Sequence, residues 1–298
     1  MKPLYIWAGG KNKMIPKYLE TPNIPTTGFD TFVEPFFGGG AMTIWMYKNC
    51  PNVKKFIIND HKQELMGIYR AIRDDLEMFL KRMDTLSSKY LPLDKSDRKT
   101  FYYTLRDEYT NDWQKWCPTV EAATLYFLLK TAFNGIWQTT KNSNGRFATP
   151  CGLLNQKDSV YDKDNVLEWH KFLQKADIYS TDWAKASNNT EGKAFYFMDP
   201  PYRESFTSYG SVFDDTEHSK LINYCVSKDT LGHYVFYCNR DDSNDGFFDM
   251  HKKTLSVQHY DIKYTAGRRS TNADGTKSAK QAKEILLYSS VLEPVTLG

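Results

Sequence analysis

At 298 residues, with 41% hydrophobic, 15% aromatic and 25% charged residues, the chain has the composition of a folded globular protein rather than a disordered or fibrous one, and can bury roughly three quarters of its unfolded surface. A net charge of +3 is too small to attract nucleic acid in bulk, so any such affinity must come from local concentrations of Lys and Arg. The five cysteines form no C-x-x-C pair and the six histidines show no zinc-ligand spacing, which argues against a metal site.

From the amino terminus, the first candidate feature is the small-residue loop Trp7-Ala8-Gly9-Gly10-Lys11, closed by a cation that can pair with a carboxylate or simply be solvated. The apolar run Thr31 to Pro35 then predicts a buried strand leading into Glu34-Pro35-Phe36-Phe37-Gly38-Gly39-Gly40. Successive glycines let backbone approach a ligand closely and turn a strand into a helix amino terminus. A second buried strand, Lys55 to Asn59, ends at Asp60, where a carboxylate can grip the two hydroxyls of a ribose. Together these point to a nucleoside-containing cofactor, a pattern that nicotinamide and flavin enzymes share.

Between Gln63 and Leu129 the residues Leu65, Ile68, Tyr69, Ile72, Leu76, Phe79 and Leu80 recur at helix spacing. This predicts an inserted helical lobe over 63–155, with a core built from 1–62 and 156–298. The polar stretch Thr139 to Phe147, with Asn144-Gly145 as its turn, predicts a β-hairpin projecting from the helices. Thr181-Asp182-Trp183, following Ile178-Tyr179-Ser180, either merely ends a strand or offers Asp182 to an adenine amino group and Trp183 to the ring face. Ala194 to Met198 predicts a third buried parallel strand, and Tyr234 to Cys238 and Glu284 to Tyr288 extend the same sheet. Lys252 to Lys283 holds eight Lys or Arg against Asp261 and Asp274, the balance of either a solvated loop or a phosphate-contacting arm led by Arg268 and Arg269. No stretch approaches the roughly 20 apolar residues of a membrane span, and the amino terminus lacks the pattern of a signal peptide, so the expected location is cytoplasmic.

The strongest local signal is Asp199-Pro200-Pro201-Tyr202, directly after a buried strand. An aromatic exocyclic amine is a poor nucleophile because its lone pair is delocalised into the ring. An enzyme that alkylates it must accept its hydrogen bonds and hold it in line with an electrophile. Asp199 supplies one acceptor, and the Pro-Pro pair restricts the backbone so that the Pro200 carbonyl can be aimed as a second. Tyr202 adds a stacking ring, and as the ring carries that role, Tyr202→Phe is expected to be mild. Such chemistry proceeds by positioning and electrostatics without a metal.

Taken together and in order, these residues resemble the Dam family, the D12 class of DNA adenine-N6 methyltransferases. Trp7 to Lys11 is similar to the family's WAGGK, Val33 to Gly40 to its VEPFxGxG, Asp60 to its acidic strand end and Asp199 to Tyr202 to its DPPY. Phe133-Asn134-Gly135, Gly145-Arg146-Phe147 and Pro150-Cys151-Gly152 resemble its YNG, GxF and PFG stretch, and Arg268-Arg269-Ser270 with Lys283 to Tyr288 its terminal RRSIS and KELLxxY. The resemblance implies an α/β fold: a Rossmann-like S-adenosylmethionine-dependent methyltransferase core with an inserted helical target-recognition lobe. It further implies double-stranded DNA as substrate, base flipping into the DPPY pocket, action as a monomer or weak dimer, no metal, and a bacterial or phage-infected cell with restriction-modification as a setting.

Catalytic roles fall to Asp199, Pro200, Pro201 and Tyr202. Cofactor roles fall to Trp7, Ala8, Gly9, Lys11, Glu34, Pro35, Phe36, Phe37, Gly38, Gly40, Asp60, Asp182, Trp183 and Asp199. DNA contacts fall to Phe133, Asn134, Ile136, Gln138, Lys141, Arg146, Pro150, Arg268 and Arg269, with Lys141 and Arg146 on phosphates. Members that read GATC carry lysine where this chain has Ile6 and arginine where it has Gln138. Arginine pairs with guanine and glutamine suits adenine, so a site other than GATC is expected. The alternatives are N4-cytosine methylation, which poses the same chemical problem, a catalytically silent DNA-binding relative, and an RNA or protein methyltransferase.

Overall fold

A computed structural model of the chain describes residues 1–7, 10–188, 190–203, 213–241, 245–249, 254–264, 270–271, 277–278 and 280–292, with backbone alone at 263–264, 270–271, 277–278 and 280–282. In chain order the elements are α1 (Ile15–Glu20), β1 (Thr31–Glu34), α2 (Ala41–Asn49), β2 (Lys55–Asn59), α3 (Gln63–Asp74), α4 (Leu76–Tyr90), α5 (Lys95–Asn111), α6 (Pro118–Thr131), α7 (Lys163–Leu173), β3 (Ala176–Tyr179), α8 (Trp183–Ser187), β4 (Ala194–Met198), α9 (Asp215–Thr230), β5 (Tyr234–Arg240), β6 (Ser256–Tyr264), β7 (Ser270–Thr271), β8 (Lys277–Ser278) and β9 (Lys280–Tyr288). The fold is α/β. Seven strands form a mostly parallel sheet in the order β3-β2-β1-β4-β5-β9-β6, and β7 pairs with β8 apart from it.

The chain divides into two compact units, 1–12 with 34–189 and 13–33 with 190–298. The helices between Gln63 and Thr131 lie in the first of these units, where α3 packs against α6 and also against α7 and β3. In this unit β2 pairs parallel with β3, Ile58 opposite Ile178. The helical periodicity is confirmed in α3, which buries Leu65, Met66, Ile68, Tyr69, Ala71 and Ile72, but the run breaks at Asp75 (φ −148°, ψ 59°) and resumes as α4. α6 is apolar nearly all round, with Leu125, Tyr126, Phe127 and Leu128 fully buried, as expected of the central helix of a helical cluster.

In the second unit β4 pairs parallel with β1 and β5, and β9 runs antiparallel to β5 and β6. Every residue of β4 is buried, which explains its continuous apolar sequence, since a parallel strand is covered on both faces. Burial of each Phe or Met there contributes roughly 1.5–3 kcal/mol. The expected hairpin is corrected. Residues 132–151 form the 3-10 turns Phe133–Gly135 and Lys141–Ser143 with one isolated antiparallel bridge, Ala132 to Cys151. Asn144 and Gly145 both adopt positive φ as a turn signal demands, but the segment they reverse is joined by scattered backbone bonds, Ala148 N–H to the Gln138 carbonyl and Phe133 N–H to the Pro150 carbonyl (both 2.8 Å), together with the Ser143 and Thr149 side chains, and not by a regular strand ladder.

Candidate active site

In the first unit, Glu34 reaches the interior at the end of β1, where Oε2 accepts from the Thr43 N–H at 2.9 Å and from the Thr43 hydroxyl. Both donors lie in the first turn of α2, so Glu34 fastens strand to helix and complements the positive helix terminus. Between them Gly38 and Gly40 take φ 50° and 67°, and a Cβ on Gly38 would stand 2.6 Å from the Trp7 indole. Trp7 thus packs over the glycine loop and leaves no room for a side chain there. Phe37 is buried: its ring meets Tyr69 edge-on at 5.0 Å, and its N–H donates to the Asn59 carbonyl at 2.9 Å. Tyr5, a residue the sequence reading does not single out, donates its hydroxyl to the Gly38 carbonyl at 3.0 Å. Burial raises its pKa, so the hydroxyl stays a donor.

Asp60 holds the same loop from the end of β2. Its Oδ2 accepts from the Gly38 N–H at 2.9 Å and its Oδ1 from the Lys62 N–H at 3.0 Å. Burial pushes its carboxyl above the ordinary aspartate value, against the pull of the two N–H groups. The neighbouring Asn59 is buried and stitches three strand ends. Its Nδ2 donates to the carbonyls of Pro35 (2.9 Å) and Thr181 (3.2 Å), and its Oδ1 accepts from the Thr181 N–H at 3.0 Å. Its sequence signal is position alone: a polar residue closing an apolar run must be satisfied where it is buried.

Asp182 caps α8 through Oδ1, which accepts from the N–H groups of Ala184 (3.0 Å) and Lys185 (3.4 Å); Oδ2 takes neither. The rings of Phe36 and Trp183 lie 6.5 Å apart at 31°. Lys11 is buried in a short 3-10 turn, Lys11–Lys13. Ala8 and Gly9 lie outside the described residues. The first unit therefore gathers a carboxylate, two aromatic faces and a left-handed glycine loop at the carboxyl ends of parallel strands, where an open α/β sheet binds its ligand.

In the second unit β4 ends at Asp199, half-buried, followed by the buried Pro200. The Tyr202 hydroxyl donates to Oε1 of Glu284, a buried residue of β9, at 2.6 Å, and the Arg240 guanidinium lies 5.7 Å from the Tyr202 ring centre. Arg203 forms a fork with Asp215 (2.6 and 2.8 Å), reaches Asp245 at 2.6 Å, and lies 4.2 Å from the Phe247 ring centre. These hydrogen bonds raise the Arg203 pKa and hold Asp215 and Asp245 below the usual carboxylate range. His218, buried against Phe213, shares a hydrogen bond with the Tyr237 hydroxyl at 2.8 Å. Burial lowers its pKa to about 4.

The turn segment of the first unit presents Phe133, 50% exposed, together with exposed Asn134, Gln138, Lys141 and Pro150 and the half-buried Ile136. Ile6, 63% exposed, lies against Gly135, where a Cβ would meet its Cδ1 at 3.4 Å. Arg146 corrects the sequence expectation. Its side chain is 13% exposed, pairs with Glu64 at 3.2 Å and with Glu121, and is sandwiched against Trp113 and Tyr109 at 4.2 and 4.6 Å. A guanidinium so enclosed clamps its own unit together, a setting unlike that of the exposed phosphate-contacting side chain expected from the sequence. Arg268 and Arg269 lie outside the described residues. Among the described residues no helix is long and apolar enough to cross a membrane, and no group of three or more His, Cys, Asp or Glu could hold a metal ion.

The model of the D12 class N6 adenine-specific DNA methyltransferases matches residues 7–289. The chain is 28% identical to the type II methyltransferase M.MjaIII of Methanocaldococcus jannaschii over 97% of its length and 99% of that protein. It is 29% identical to M.CviBI of Paramecium bursaria Chlorella virus NC1A over 90% and 94%, and 24% identical to the retron Ec67 DNA adenine methylase of Escherichia coli over 97% and 92%. With nearly the whole chain matched, and with the glycine loop, Asp60 and Asp199 to Tyr202 each at the end of a parallel strand, the chain belongs to the D12 class of N6 adenine-specific DNA methyltransferases.

Proposed function

We propose that this DNA adenine methyltransferase acts on an adenine turned out of double-stranded DNA, with Asp199, Pro200, Pro201 and Tyr202 holding the base and S-adenosylmethionine as methyl donor. The observation that carries the reading is the setting of the tetrapeptide, which follows a strand with all five residues buried and is fixed at its exit by Asn239 and Arg203. Asp199 accepts a hydrogen bond from the exocyclic amine and the Pro200 carbonyl a second. This orients the nitrogen lone pair out of the ring, and once the nitrogen carries the methyl group its surplus proton passes to solvent water. Tyr202 stacks on the base. An amino group inside the duplex stack is out of reach of such a pocket, which is the reason for flipping.

The donor set of the first unit fits S-adenosylmethionine. Asp60 matches the ribose hydroxyls, Phe36 and Trp183 offer faces to the adenine ring, Asp182 Oδ2 suits its amino group, and the loop from Glu34 to Gly40 and Lys11 suit the amino-acid portion. When bound, this donor supplies a methyl group on a positively charged sulfur. The protein supplies orientation, exclusion of water and acceptors for the amine, which can account for several kcal/mol of barrier lowering. Phe133, Asn134, Ile136, Gln138 and Ile6 face DNA bases, while Lys141 and Pro150 lie along the backbone. Gln138 in place of arginine favours adenine over guanine at one position. Methylation-aware sequencing of DNA from cells expressing the chain tests the reading. A single modified adenine in a motif other than GATC is expected, and random or absent modification refutes it.

A further inference from the structure

Pro200 and Pro201 carry no N–H, so the turn that bears Asp199 has no backbone donor at those two positions. It has to be fixed through its carbonyls or through N–H groups beyond the prolines. β5 runs parallel to β4 with Tyr237 opposite Met198, and two residues further along β5 stands Asn239, fully buried. Its Oδ1 accepts from the Arg203 N–H at 2.9 Å and from the Arg240 N–H at 2.9 Å, and its Nδ2 donates to the Pro201 carbonyl at the long distance of 3.5 Å. The atoms it grips, the Pro201 carbonyl and the Arg203 N–H, bracket Tyr202 on both sides.

We infer that Asn239 is a positioning residue for methyl transfer, setting the direction in which the Asp199-Pro200-Pro201-Tyr202 turn presents its acceptors; this rests on the catalytic reading of that turn. The lever is short. Proline fixes φ, so the peptide plane bonded by Asn239 is separated from the Pro200 carbonyl by one restricted residue, and a tilt at Pro201 re-aims that carbonyl. The side chain of Arg203, held by Asp215 and Asp245, secures the same residue whose N–H Asn239 accepts. Asn239 touches neither reactant in this scheme. Its loss should lower the rate of the oriented step and leave binding intact.

The experiment measures single-turnover methyl transfer to duplex DNA, KM for S-adenosylmethionine, Kd for DNA and Tm for wild type, Asn239→Ala, Asn239→Asp and Asp199→Ala, at a temperature well below every Tm. Asn239→Ala should lose at least about tenfold in kcat, with KM and Kd within about twofold. Asn239→Asp keeps an acceptor for the two N–H groups but sets a buried carboxylate oxygen against the Pro201 carbonyl in place of the donor, so it should recover little of that loss, whereas Asn239→Gln, measured alongside, keeps both donor and acceptor and should recover part of it. If Asn239→Ala does not fold, Asn239→Ser, which retains a small acceptor, is read by the same criteria. Wild-type kcat in Asn239→Ala beside an inactive Asp199→Ala overturns this inference and spares the catalytic reading. A parallel fall of kcat, cofactor binding and Tm with no recovery by Asn239→Gln also overturns it, because that is the signature of general structural damage. Activity in Asp199→Ala removes the catalytic reading, and the inference with it.

Discussion

At the scale of single residues, the site consists of side chains that do two things at once. Asp60 holds the Gly38 N–H and, in the proposed function, also offers its carboxylate to a ribose, so Asp60→Ala should raise the dissociation constant for S-adenosylmethionine by about tenfold or more, as expected for a charged acceptor worth about 1.5–3 kcal/mol; DNA affinity should not change. Because burial raises its pKa, Asp60 is charged only above that raised value, and cofactor affinity should weaken on acidification before an ordinary aspartate would titrate. Asp60→Asn should flatten that profile in calorimetry. The Tyr202 hydroxyl bonded to buried Glu284 changes the expectation for Tyr202→Phe from mild to measurable: about 1 kcal/mol of stability and a several-fold slower transfer. Arg146→Ala should cost about 3 kcal/mol of stability, the consequence of leaving Glu64 and Glu121 enclosed without their cation, with an unchanged salt slope of DNA binding; a slope lowered by about one would restore it to the phosphate backbone. Asp60 and Asp199 are readable in sequence because each terminates an apolar run. The role of Arg146 is not, since Glu64, Glu121, Tyr109 and Trp113 reach it only through folding.

At the scale of elements, what sequence reveals depends on how a strand is covered. β1, β2 and β4 are buried along nearly their whole length and appear as unbroken apolar runs, so their predicted bounds agree with the structure to within a residue. β6 is the last strand of the sheet and pairs on one side with β9; it has no continuous apolar run, and its sequence signal is instead the alternation of polar and apolar residues from His259 to Tyr264. The break between α3 and α4 was hidden for a different reason: apolar residues keep helical spacing on both sides of Asp75. Asn144-Gly145 supplies a true turn, but a regular ladder does not form because the Gln138 and Thr140 N–H groups go to the Thr149 and Ser143 side chains, leaving single backbone bonds such as Ala148 N–H to the Gln138 carbonyl. Asn59 is the strongest element-level device of the cofactor half, joining the residues that follow three strands. Asn59→Ala should weaken S-adenosylmethionine binding by about tenfold through a loosened loop and lower Tm, with the loss of affinity disappearing if Asn59 serves packing alone.

At the scale of the whole molecule, pH exposes a buried base. His218 titrates near 6.5 when unfolded and at about 4 in the folded chain, so between those values the unfolded state binds the extra proton and stability falls as pH is lowered; above about 6.5 this contribution is complete and constant. At roughly 1.4 kcal/mol per pKa unit the full effect is on the order of 3 kcal/mol. The stability advantage of wild type over His218→Gln in denaturant titrations should therefore shrink from pH 7 toward pH 4, and a difference independent of pH would show that His218 titrates alike in the folded and unfolded states. Family membership follows from a match over residues 7–289, while the chemistry rests on Asp199. The direct measurement is transfer of tritiated methyl from S-adenosylmethionine to duplex DNA, digested to nucleosides and separated, with wild type and Asp199→Ala in parallel. The account predicts label in N6-methyldeoxyadenosine for wild type and a loss of at least about a hundredfold for Asp199→Ala, in the range of removing an electrostatic transition-state contact. Label in N4-methyldeoxycytidine, or an Asp199→Ala variant within about tenfold of wild type, would contradict it.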